Sequence, residues 1–436
     1  MNHLDWVTSK PHQPLHGSVR VPGDKSMSHR ALMLAALADG ECRIGGFLEG
    51  EDTRATATSL SRFGVAIDAP GPGERIVHGV GMHGLRAASG SLDCGNAGTG
   101  MRLLTGLLAG QAFDSVLTGD ASLSARPMNR VIDPLARMGA RIDSHNGLPP
   151  LHIHGGHAMH GMRHISPMAS AQVKSALLLA GLYAEGDTEV VEPQPTRDYT
   201  ERMLRAFGWP VDFTPGRARL AGGYVLHATD VEIPADFSSA AFFMVAASIV
   251  EGSELQLPAV GLNPRRTGLL AALRQMGADI RIENERQTSG EPIGDIVVRH
   301  APLRGIELPA ALVPDMIDEL PVFFVAASVA EGRTVISGAA ELRVKESDRI
   351  ASMASGLRTL GVVIEETPDG AIIHGGRLGG GVVSSHLDHR IAMSMVVAGQ
   401  VARAPVRVAD CAPVATSFPG FREIASDCGF ALRVAS

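Results

Sequence analysis

The sequence has little cysteine, and its cysteines lie far apart. Cys42, Cys94, Cys411 and Cys428 form no CxxC pair. This pattern argues against a disulfide framework and against a zinc site. The N-terminal residues lack the apolar core of a secretory signal, and they contain too little arginine and serine for a plastid transit peptide. These absences predict a reduced protein of the cytoplasm.

Long apolar runs and an excess of basic residues are also missing. Glycine and polar residues interrupt every apolar run before it reaches the roughly 18 residues that a membrane span needs. The net charge of −7 argues against a general nucleic-acid binder, whose affinity depends on a basic surface. No GxxxxGK[ST] phosphate loop occurs. We therefore expect no membrane or nucleic-acid partner, and any anionic ligand must be held by local positive charge.

What the sequence does contain is a repeat. Six times, an apolar run rich in small residues is followed by a short β-branched stretch and an amphipathic run that ends near a glycine. The apolar runs cover residues 31–40, 103–110, 175–186, 240–252, 321–332 and 391–402. The amphipathic runs end at Gly64, Gly139, Gly208, Gly277, Gly361 and Gly429. Glycine at such a place is typical of a helix C-terminus.

The repeat predicts an α/β (α+β) fold with two domains of three units each. A chain of 436 residues suits two domains of roughly 200 residues. The apolar runs predict buried helices inside each domain, and the β-branched stretches predict sheets outside them. Pro234 interrupts a strand just before the fourth apolar run. We expect one domain at 23–233 and a second formed by 1–22 with 234–436.

Polar segments with basic residues precede the apolar helices. They read PGDKSMSHR, CGNAGTGMR, MASAQVK, ADFSS, DMIDEL and LDHR. Each predicts a helix cap, and a helix N-terminus attracts anions through its free N–H groups and its dipole. Capping alone would not require the cations that occur at the same place in the repeat, which are Lys25, Arg30, Arg102, Lys174 and Arg390. The pattern therefore favours an anion-binding site over simple capping.

These segments resemble a known family. PGDKSMSHRALMLAALA, GNAGTGMR, GDASLSARPM, SAQVKSALLLAG, LRVKESDRI and LDHRIAM match, in order, the signature segments of the EPSP synthase (3-phosphoshikimate 1-carboxyvinyltransferase) family. The match runs from about residue 15 to about residue 425, and its wording looks most like the bacterial class II branch. The resemblance implies two inverse α/β domains, each built from three βαβαββ units.

The resemblance also implies a reaction. Members of the family transfer the enolpyruvyl group of phosphoenolpyruvate to the 5-hydroxyl of shikimate 3-phosphate and release phosphate, on the route to chorismate and the aromatic amino acids. The reaction is an addition followed by an elimination, through a tetrahedral intermediate. Neither a metal nor an organic cofactor is implied, and the family expectation is a monomer.

Substrate-binding residues follow from the matching motifs. For shikimate 3-phosphate, the resemblance implies Lys25, Ser26, Arg30, Ser170, Ala171, Gln172, Arg197, Asp318 and Lys345. For phosphoenolpyruvate, it implies Lys25, Gly98, Arg126, Gln172, Arg349 and Arg390. Arginine suits a phosphate or carboxylate because its guanidinium donates two parallel hydrogen bonds. Glycine at position 98 would let the backbone approach the ligand closely.

Three residues are implied in proton transfer. Asp318 matches the carboxylate near the 5-hydroxyl, and Glu346 matches the residue beside the carbon that is protonated. Lys25 contacts both substrates and is the alternative proton donor to that carbon. Sequence does not choose between Lys25 and Glu346. An acid and a base on opposite sides of the new bond are what the addition requires.

The chain departs from the family pattern at three positions. His29 stands where many members have Asn, Leu103 where many have Pro, and Thr416 where many have Lys. Glyphosate, the inhibitor of the family, is expected to occupy the phosphoenolpyruvate site, where Gly98 leaves room that Ala would fill. We expect sensitivity to it, although Leu103 alters the helix that positions Gly98.

Several rival interpretations remain. The sister enolpyruvyl transferase acting on UDP-N-acetylglucosamine typically has a Cys before an Arg-Pro pair, where this chain reads GDASLSARP. A non-catalytic phosphosugar-binding protein would not need Asp318, Glu346 and Lys25 together, and an RNA-end-processing enzyme does not suit the acidic net charge. LRVKESDR could instead be a solvated helix start. The histidines of LHIHGGHAMHGMRH, residues 151–164, lack partners at metal-ligand spacing and are expected at the surface.

Overall fold

The computed structural model describes residues 4–435, which form two compact units. The N-terminal unit contains Gly23–Ile233 together with Thr288–Glu291. The C-terminal unit contains the described residues up to Pro22, Pro234–Gln287 and those from Pro292 onward. The sequence pattern gave no sign that residues 288–291 group with the N-terminal unit, where the Gly290 carbonyl accepts a hydrogen bond from Arg202 at 3.2 Å.

The elements up to residue 233 follow the predicted repeat. The strands are β1 (Trp6–Ser9), β2 (His16–Ser18), β3 (Ala38–Gly45), β4 (Ala66–Asp68), β5 (Arg75–Val80), β6 (Leu92–Asp93), β7 (Ser115–Thr118), β8 (Arg141–His145), β9 (Leu148–His154), β10 (Arg163–Ile165), β11 (Asp187–Val191), β12 (Val211–Thr214), β13 (Arg217–Ala221), β14 (Leu226–His227) and β15 (Val231–Glu232). The helices are α1 (Lys25–Leu37), α2 (Glu51–Arg62), α3 (Gly98–Ala109), α4 (Ala121–Ser124), α5 (Asn129–Arg137), α6 (Ala171–Gly181) and α7 (Tyr199–Ala206).

The remaining elements repeat the same order. The strands are β16 (Glu254–Gly261), β17 (Asp279–Thr288), β18 (Glu291–Arg299), β19 (Arg333–Ile336), β20 (Val363–Thr367), β21 (Gly370–His374), β22 (Gly381–Ser384), β23 (Val406–Ala409) and β24 (Ala431–Val434). The helices are α8 (Phe237–Ile249), α9 (Gly268–Gln275), α10 (Leu320–Val329), α11 (Arg349–Thr359), α12 (His389–Gly399) and α13 (Phe421–Asp427). Short 3-10 helices cover Ala310–Leu312, Pro314–Met316, Ala340–Val344 and Ala412–Thr416.

Six helices form the interior, as the apolar runs predict. They are α1, α3 and α6 in the N-terminal unit and α8, α10 and α12 in the C-terminal unit, and most of their residues are buried. Their residues are apolar on all sides, so no face favours water. The first helix covers only part of its apolar run, residues 31–40. α1 ends at Leu37 because Ala38 is extended and begins β3, where Asp39 pairs with Val80.

The second helix of each repeat ends on a glycine, as predicted. Gly64, Gly139, Gly208, Gly277, Gly361 and Gly429 follow α2, α5, α7, α9, α11 and α13, and their φ angles lie between 84° and 107°. A side chain in this left-handed region would meet the backbone, so glycine is the residue that ends these helices without strain.

Within the part of the chain that the structure describes, each unit carries three sheets. In the N-terminal unit the strand orders are β14-β3-β5-β4 (with β15 also on β3), β6-β7-β9-β8 and β10-β11-β13-β12. In the C-terminal unit they are β17-β18-β16-β2, β19-β21-β20 and β22-β23-β1-β24. The leader thus enters two C-terminal sheets, since β1 pairs with β23 and β24 and β2 pairs with β16. Within residues 4–435, no helix is long and apolar enough to cross a membrane.

Helix caps lead four of the six buried helices. Asp24, Ser170, Asp236 and Asp388 each accept a backbone N–H of the following turn. The prediction of side-chain caps is wrong for α3 and α10, whose N-cap residues Ala97 and Glu319 make no such bond. The reason for α3 is chemical, since an alanine side chain has no acceptor atom.

Candidate active site

The start of α1 carries Lys25 and Ser26, both partly exposed. Asp24 caps the helix by accepting the N–H of Met27 at 2.8 Å, which holds Lys25 in the first turn. The ammonium of Lys25 lies 2.7 Å from Asp52 Oδ2 on α2. This ion pair holds the ammonium of Lys25 in one position. No sequence motif indicated Asp52 as its partner. The structure therefore provides a fixed cation at a helix N-terminus.

Arg30 lies one turn further along α1 and is buried. Its Nε donates to Thr200 Oγ1 at 2.7 Å, and its Nη2 donates to Ser175 Oγ at 2.7 Å. Nη1 donates to the Ser26 carbonyl at 2.8 Å. Three of its five N–H donors are therefore used inside the unit. Burial lowers the pKa of Arg30 to about 10.

His29 is buried in the same helix and differs from the asparagine of many relatives. Its Nδ1 lies 2.8 Å from Thr56 Oγ1. Burial, helped by the charges of Lys25 and Arg30, lowers its pKa to about 3. The folded protein consequently holds a neutral imidazole at neutral and mildly acidic pH.

This neutral His29 should make folding stability depend on pH. In the unfolded chain the ring takes up a proton near pH 6.5, whereas in the folded chain it does so only near pH 3. Its contribution to stability is therefore complete above pH 6.5 and is lost as the pH falls toward 3. We expect the free energy of unfolding to drop by about 1.4 kcal/mol between pH 7.5 and pH 5.5 through this group.

Urea unfolding of the wild type and of His29→Asn at the two pH values measures this loss. The variant should show a smaller drop with pH, whatever its absolute stability. His157→Asn, which replaces an exposed histidine, is the matched control and should keep the wild-type dependence. If the free energy of unfolding fell equally with pH in the wild type and in His29→Asn, the pH dependence could not be assigned to His29.

Gly98 begins α3 and lies beside Arg126. A Cβ at position 98 would be 3.0 Å from Nη1 of Arg126 and 3.2 Å from Nη1 of Arg102. Arg126 is buried, and its Nη2 donates to Asn96 Oδ1 at 2.5 Å and to Ser122 Oγ at 3.1 Å. Asn96 was in a quoted motif but received no role, and the structure shows it orienting this guanidinium. Arg102 and Arg126 thus both lie at the start of α3, where Gly98 has no side chain.

The start of α6 adjoins the start of α3 through Gln172. Its Nε2 donates to Thr99 Oγ1 at 2.8 Å, and its Oε1 accepts from Arg102 Nη1 at 2.7 Å. Ser170 caps α6, and Ala171 is the first helical residue. Ser170, Ala171 and Gln172 are partly exposed at this end of the unit. The predicted residues of α3 and α6 are therefore brought together.

Lys174 and Arg197 are placed differently from each other. Lys174 points inward, with Glu192 Oε2 at 2.8 Å and Glu201 Oε1 at 2.9 Å, so it does not join the exposed cations of the helix starts. Arg197, just before α7, is partly exposed and lies close enough to Arg30 to lower the pKa of Arg30 further.

In the C-terminal unit, Arg349 collects three carboxylates. Its Nε donates to Asp388 Oδ2 at 2.8 Å, and its Nη2 donates to Glu346 Oε2 at 2.6 Å. Its Nη1 lies 3.5 Å from Asp318 Oδ1. Arg349 and Asp388 are 1% and 0% exposed, so water does not screen this pair. Despite burial, these carboxylates raise the pKa of Arg349 above its ordinary value. Asp318 and Glu346 thus share Arg349 as a cationic partner.

Arg390 and Lys345 lie around the same carboxylate. Arg390 donates through Nη1 to the backbone carbonyl of Asp318 at 2.8 Å. Burial lowers the pKa of Lys345, against the opposing charges of Asp318 and Glu341. A lysine in this environment loses its proton more readily than a solvated one.

Sequence reasoning missed two charged residues of this cluster. Arg266 is buried, with Nη1 at 3.6 Å from Asp318 Oδ2 and Nη2 donating to Ser238 Oγ at 2.6 Å. Glu319 accepts from Ser238 Oγ and is also buried. Glu319 stood in the quoted DMIDEL segment, whereas NPRRTG around Arg266 offered no signal. Their partners lie 28 to 81 positions away in the sequence, and local patterns do not show them.

Two further expectations concern single residues. Thr416, which stands where many relatives have Lys, donates its hydroxyl to the Pro413 carbonyl at 2.7 Å within its own turn.

Of the histidines between 151 and 164, His164 is buried against Arg137 Nη2 at 2.7 Å, so the surface prediction is wrong there. His152 and His157 are exposed. Across residues 4–435, no group of three or more His, Cys, Asp or Glu side chains is arranged to hold a metal ion.

Comparison with known proteins agrees with this architecture. Residues 9–424 match the family described as EPSP synthase (3-phosphoshikimate 1-carboxyvinyltransferase). A curated relative from Xanthomonas axonopodis pv. citri (strain 306), named 3-phosphoshikimate 1-carboxyvinyltransferase, is 66% identical over 99% of this chain and 98% of its own. Another of that name, from Xanthomonas oryzae pv. oryzae (strain PXO99A), is 66% identical over 100% and 99%.

Solved structures give the same result. EPSP synthase from Acinetobacter baumannii superposes with a TM-score of 0.90 at 51% identity, covering 99% of this chain and 100% of its own. The enolpyruvyl transferase NikO from Streptomyces tendae has a TM-score of 0.81 at 18% identity, covering 99% of both chains, which shows the fold alone. The fold is the two-domain α/β fold found in enolpyruvyl transferases. Within that class, the chain belongs to the EPSP synthase family.

Proposed function

We propose that this protein is an enzyme that transfers the enolpyruvyl group from phosphoenolpyruvate to the 5-hydroxyl of shikimate 3-phosphate, on the way to chorismate and the aromatic amino acids. The observation that carries the proposal is the 66% identity, over 99% of the chain, to proteins named for this activity. The clusters around Arg126 and Arg349 support it, because both combine a buried cation with partly exposed polar groups such as Asn96 and Glu346.

For shikimate 3-phosphate, the N-terminal unit would supply the helix starts of α1 and α6 and the arginines next to them. Those residues are Lys25, Ser26, Arg30, Ser170, Ala171, Gln172 and Arg197. The C-terminal unit would supply Asp318 and Lys345. For phosphoenolpyruvate, Lys25, Gly98, Arg126, Gln172, Arg349 and Arg390 are proposed. Two arginines meeting at Gly98 suit a small dianion, because no Cβ occupies the space between them.

The proposed chemistry has two stages. In the addition, the methylene carbon of phosphoenolpyruvate takes a proton from Glu346 or Lys25, and the 5-hydroxyl oxygen bonds to C2 while Asp318 takes its proton. In the elimination, the C2–O bond to phosphate breaks and phosphate leaves. The methyl group returns a proton to Glu346 or Lys25, whichever donated it, and the double bond is restored. Arg126, Arg349 and Arg390 would stabilise the charge on phosphate.

Phosphate release from phosphoenolpyruvate tests the proposal. We expect release with shikimate 3-phosphate as acceptor and none with UDP-N-acetylglucosamine. Release with the nucleotide sugar alone would replace the substrate and keep the reaction type. Folded protein that is silent with both acceptors, yet binds shikimate 3-phosphate, would favour the phosphosugar-binding alternative.

We also propose a cytoplasmic monomer. The four cysteines are free and buried, which suits a reducing compartment. The monomer rests on the resemblance to the family alone. Light scattering on a sizing column checks the mass, and a dimer at micromolar concentration would contradict it.

Gly98→Ala should reduce the response to glyphosate. The added methyl would lie 3.0 Å from Arg126 Nη1, inside the space proposed for phosphoenolpyruvate and its competitor. We expect the wild type to be inhibited competitively with phosphoenolpyruvate. In the variant, the half-inhibitory concentration should rise by roughly tenfold or more, with a higher KM for phosphoenolpyruvate.

Initial rates over a series of inhibitor and phosphoenolpyruvate concentrations measure this. Gly376→Ala is the control, because an added Cβ there would meet nothing within 4 Å. An unchanged half-inhibitory concentration in Gly98→Ala, or a wild type that needs millimolar glyphosate at low phosphoenolpyruvate, would contradict the prediction.

A further inference from the structure

Lys174 is the centre of a buried ion cluster that the proposed reaction does not use. Its ammonium contacts Glu192 Oε2 at 2.8 Å and Glu201 Oε1 at 2.9 Å, and it donates to the Thr196 carbonyl at 3.4 Å. The three charged side chains are at most 3% exposed. An ammonium has three N–H donors, and two carboxylate oxygens and one carbonyl oxygen surround this one. We call Lys174, Glu192 and Glu201 the Lys174 cluster.

The Lys174 cluster joins three separate pieces of the N-terminal unit. Lys174 belongs to α6, Glu192 follows β11, and Glu201 lies in the first turn of α7. Between the two glutamates runs the loop of residues 193–198. Thr196, in that loop, donates through Oγ1 to Glu192 Oε1 at 2.5 Å. The loop is thus attached to the cluster by both the backbone and a side chain of one residue, immediately before Arg197.

Arg30 is attached to the same two helix turns. Thr200 and Ser175, the direct sequence neighbours of Glu201 and Lys174, both accept hydrogen bonds from its guanidinium. Thr200 Oγ1 also donates to Ser175 Oγ at 2.7 Å, which closes the triangle. The positions of Arg30 and of the loop that carries Arg197 therefore depend on how α6 and α7 are held together.

The charges of the Lys174 cluster keep that arrangement in place. Burial alone would lower the pKa of Lys174, but Glu201 and Glu192 outweigh it and raise the pKa above its ordinary value. Removing the ammonium would leave two buried carboxylates facing each other without a cation. Buried like charges repel, so the glutamates and the attached loop would move apart.

We propose that Lys174 is a positioning residue for the site that binds the phosphate of shikimate 3-phosphate. By tying Glu192, Thr196 and Glu201 together, it sets the loop so that Arg197 stands next to Arg30. This inference rests on the proposed function. If the buried ion pair only stabilised the fold, its removal would alter folding. The ratio of KM for shikimate 3-phosphate to KM for phosphoenolpyruvate would stay unchanged.

A double-mutant cycle with Lys174→Met and Arg197→Ala tests the proposal by steady-state kinetics. Each single variant should raise KM for shikimate 3-phosphate by roughly tenfold, while kcat and KM for phosphoenolpyruvate stay within about twofold. If Lys174 acts through Arg197, the double variant should show no further rise. If the two substitutions raised KM for shikimate 3-phosphate additively, the proposal would be overturned. Equal rises in KM for both substrates would overturn it as well.

Thr196→Val provides a second, milder variant if Lys174→Met fails to fold. It removes the hydroxyl that donates to Glu192 at nearly constant volume, and we expect a several-fold rise in the same KM that disappears in an Arg197→Ala background. Thr188→Val, a buried isosteric change in β11, is the matched control and should leave both KM values unchanged. If Thr196→Val had the same KM for shikimate 3-phosphate as Thr188→Val, the proposal would be overturned. A wild type without turnover on shikimate 3-phosphate would instead refute the proposed function, and this inference with it.

Discussion

Replacing Asp318 by Asn is expected to lower kcat for shikimate 3-phosphate-dependent phosphate release by roughly 10²–10⁴-fold, the usual range for a general base. The amide keeps the shape of the side chain and cannot accept the proton of the 5-hydroxyl. Arg266 Nη1 lies 3.6 Å and Arg349 Nη1 3.5 Å from the carboxylate, which is 13% exposed. Two cations thus fix its position in a largely dry environment.

A carboxylate in the same unit, Asp279, provides the matched control. Asp279 on β17 faces Arg281 at 3.6 Å and is 40% exposed, so Asp279→Asn should leave kcat unchanged. KM values for both substrates should change far less than kcat in Asp318→Asn, because the shape of the site is kept. An Asp318→Asn enzyme that retains full turnover would show that another group takes the proton.

The second large effect is expected on stability. Arg349→Met should lower the free energy of unfolding by about 3–5 kcal/mol, because it leaves the carboxylates of Asp388, Glu346 and Asp318 without their shared cation. Arg349→Lys should restore only part of the loss. A lysine point charge cannot reproduce bonds of 2.8 Å to Asp388 and 2.6 Å to Glu346 at the same time.

Urea unfolding at neutral pH measures these values. Arg299→Met is the control, since Arg299 pairs with Glu254 at 2.9 Å where both side chains are roughly half exposed. Such surface pairs contribute about 0–1 kcal/mol. If Arg349→Met and Arg299→Met lost the same amount of stability, the cluster around Arg349 would not be a structural ion site.

Local signals account for what was predicted correctly about the fold. The buried helices were visible as apolar runs, and the left-handed glycines after α2, α5, α7, α9, α11 and α13 were visible as helix endings. Both depend on residues within a few positions of each other. The apolar run 31–40 does not show where α1 ends, because the strand partner of Ala38 is Leu226 in β14, which lies far away in the sequence.

The charged residues show the opposite case. Lys25 and Lys174 look alike in the sequence, since both follow a cap and begin an apolar helix. Lys25 remains partly exposed at the helix start, whereas Lys174 is enclosed by Glu192 and Glu201. Similarly, the motif that contains Arg349 does not show that Asp388, 39 positions later, is its closest buried partner. A local pattern does not give the distance to a charged partner that lies many positions away, as Glu192 and Glu201 do from Lys174.

By itself, the sequence determined the α/β class, the six-fold repeat, the glycine ends of its amphipathic helices and the family to which the chain belongs. These properties follow from periodicity, capping and motifs, which neighbouring residues specify. Only the tertiary structure decided that Lys25 stays partly exposed at a helix start while Lys174 is neutralised inside. It also placed Asp52 beside Lys25, Asn96 beside Arg126, and Arg266 and Glu319 near Asp318. The reason is physical: the charge state and position of a buried group depend on the partners that long-range packing supplies.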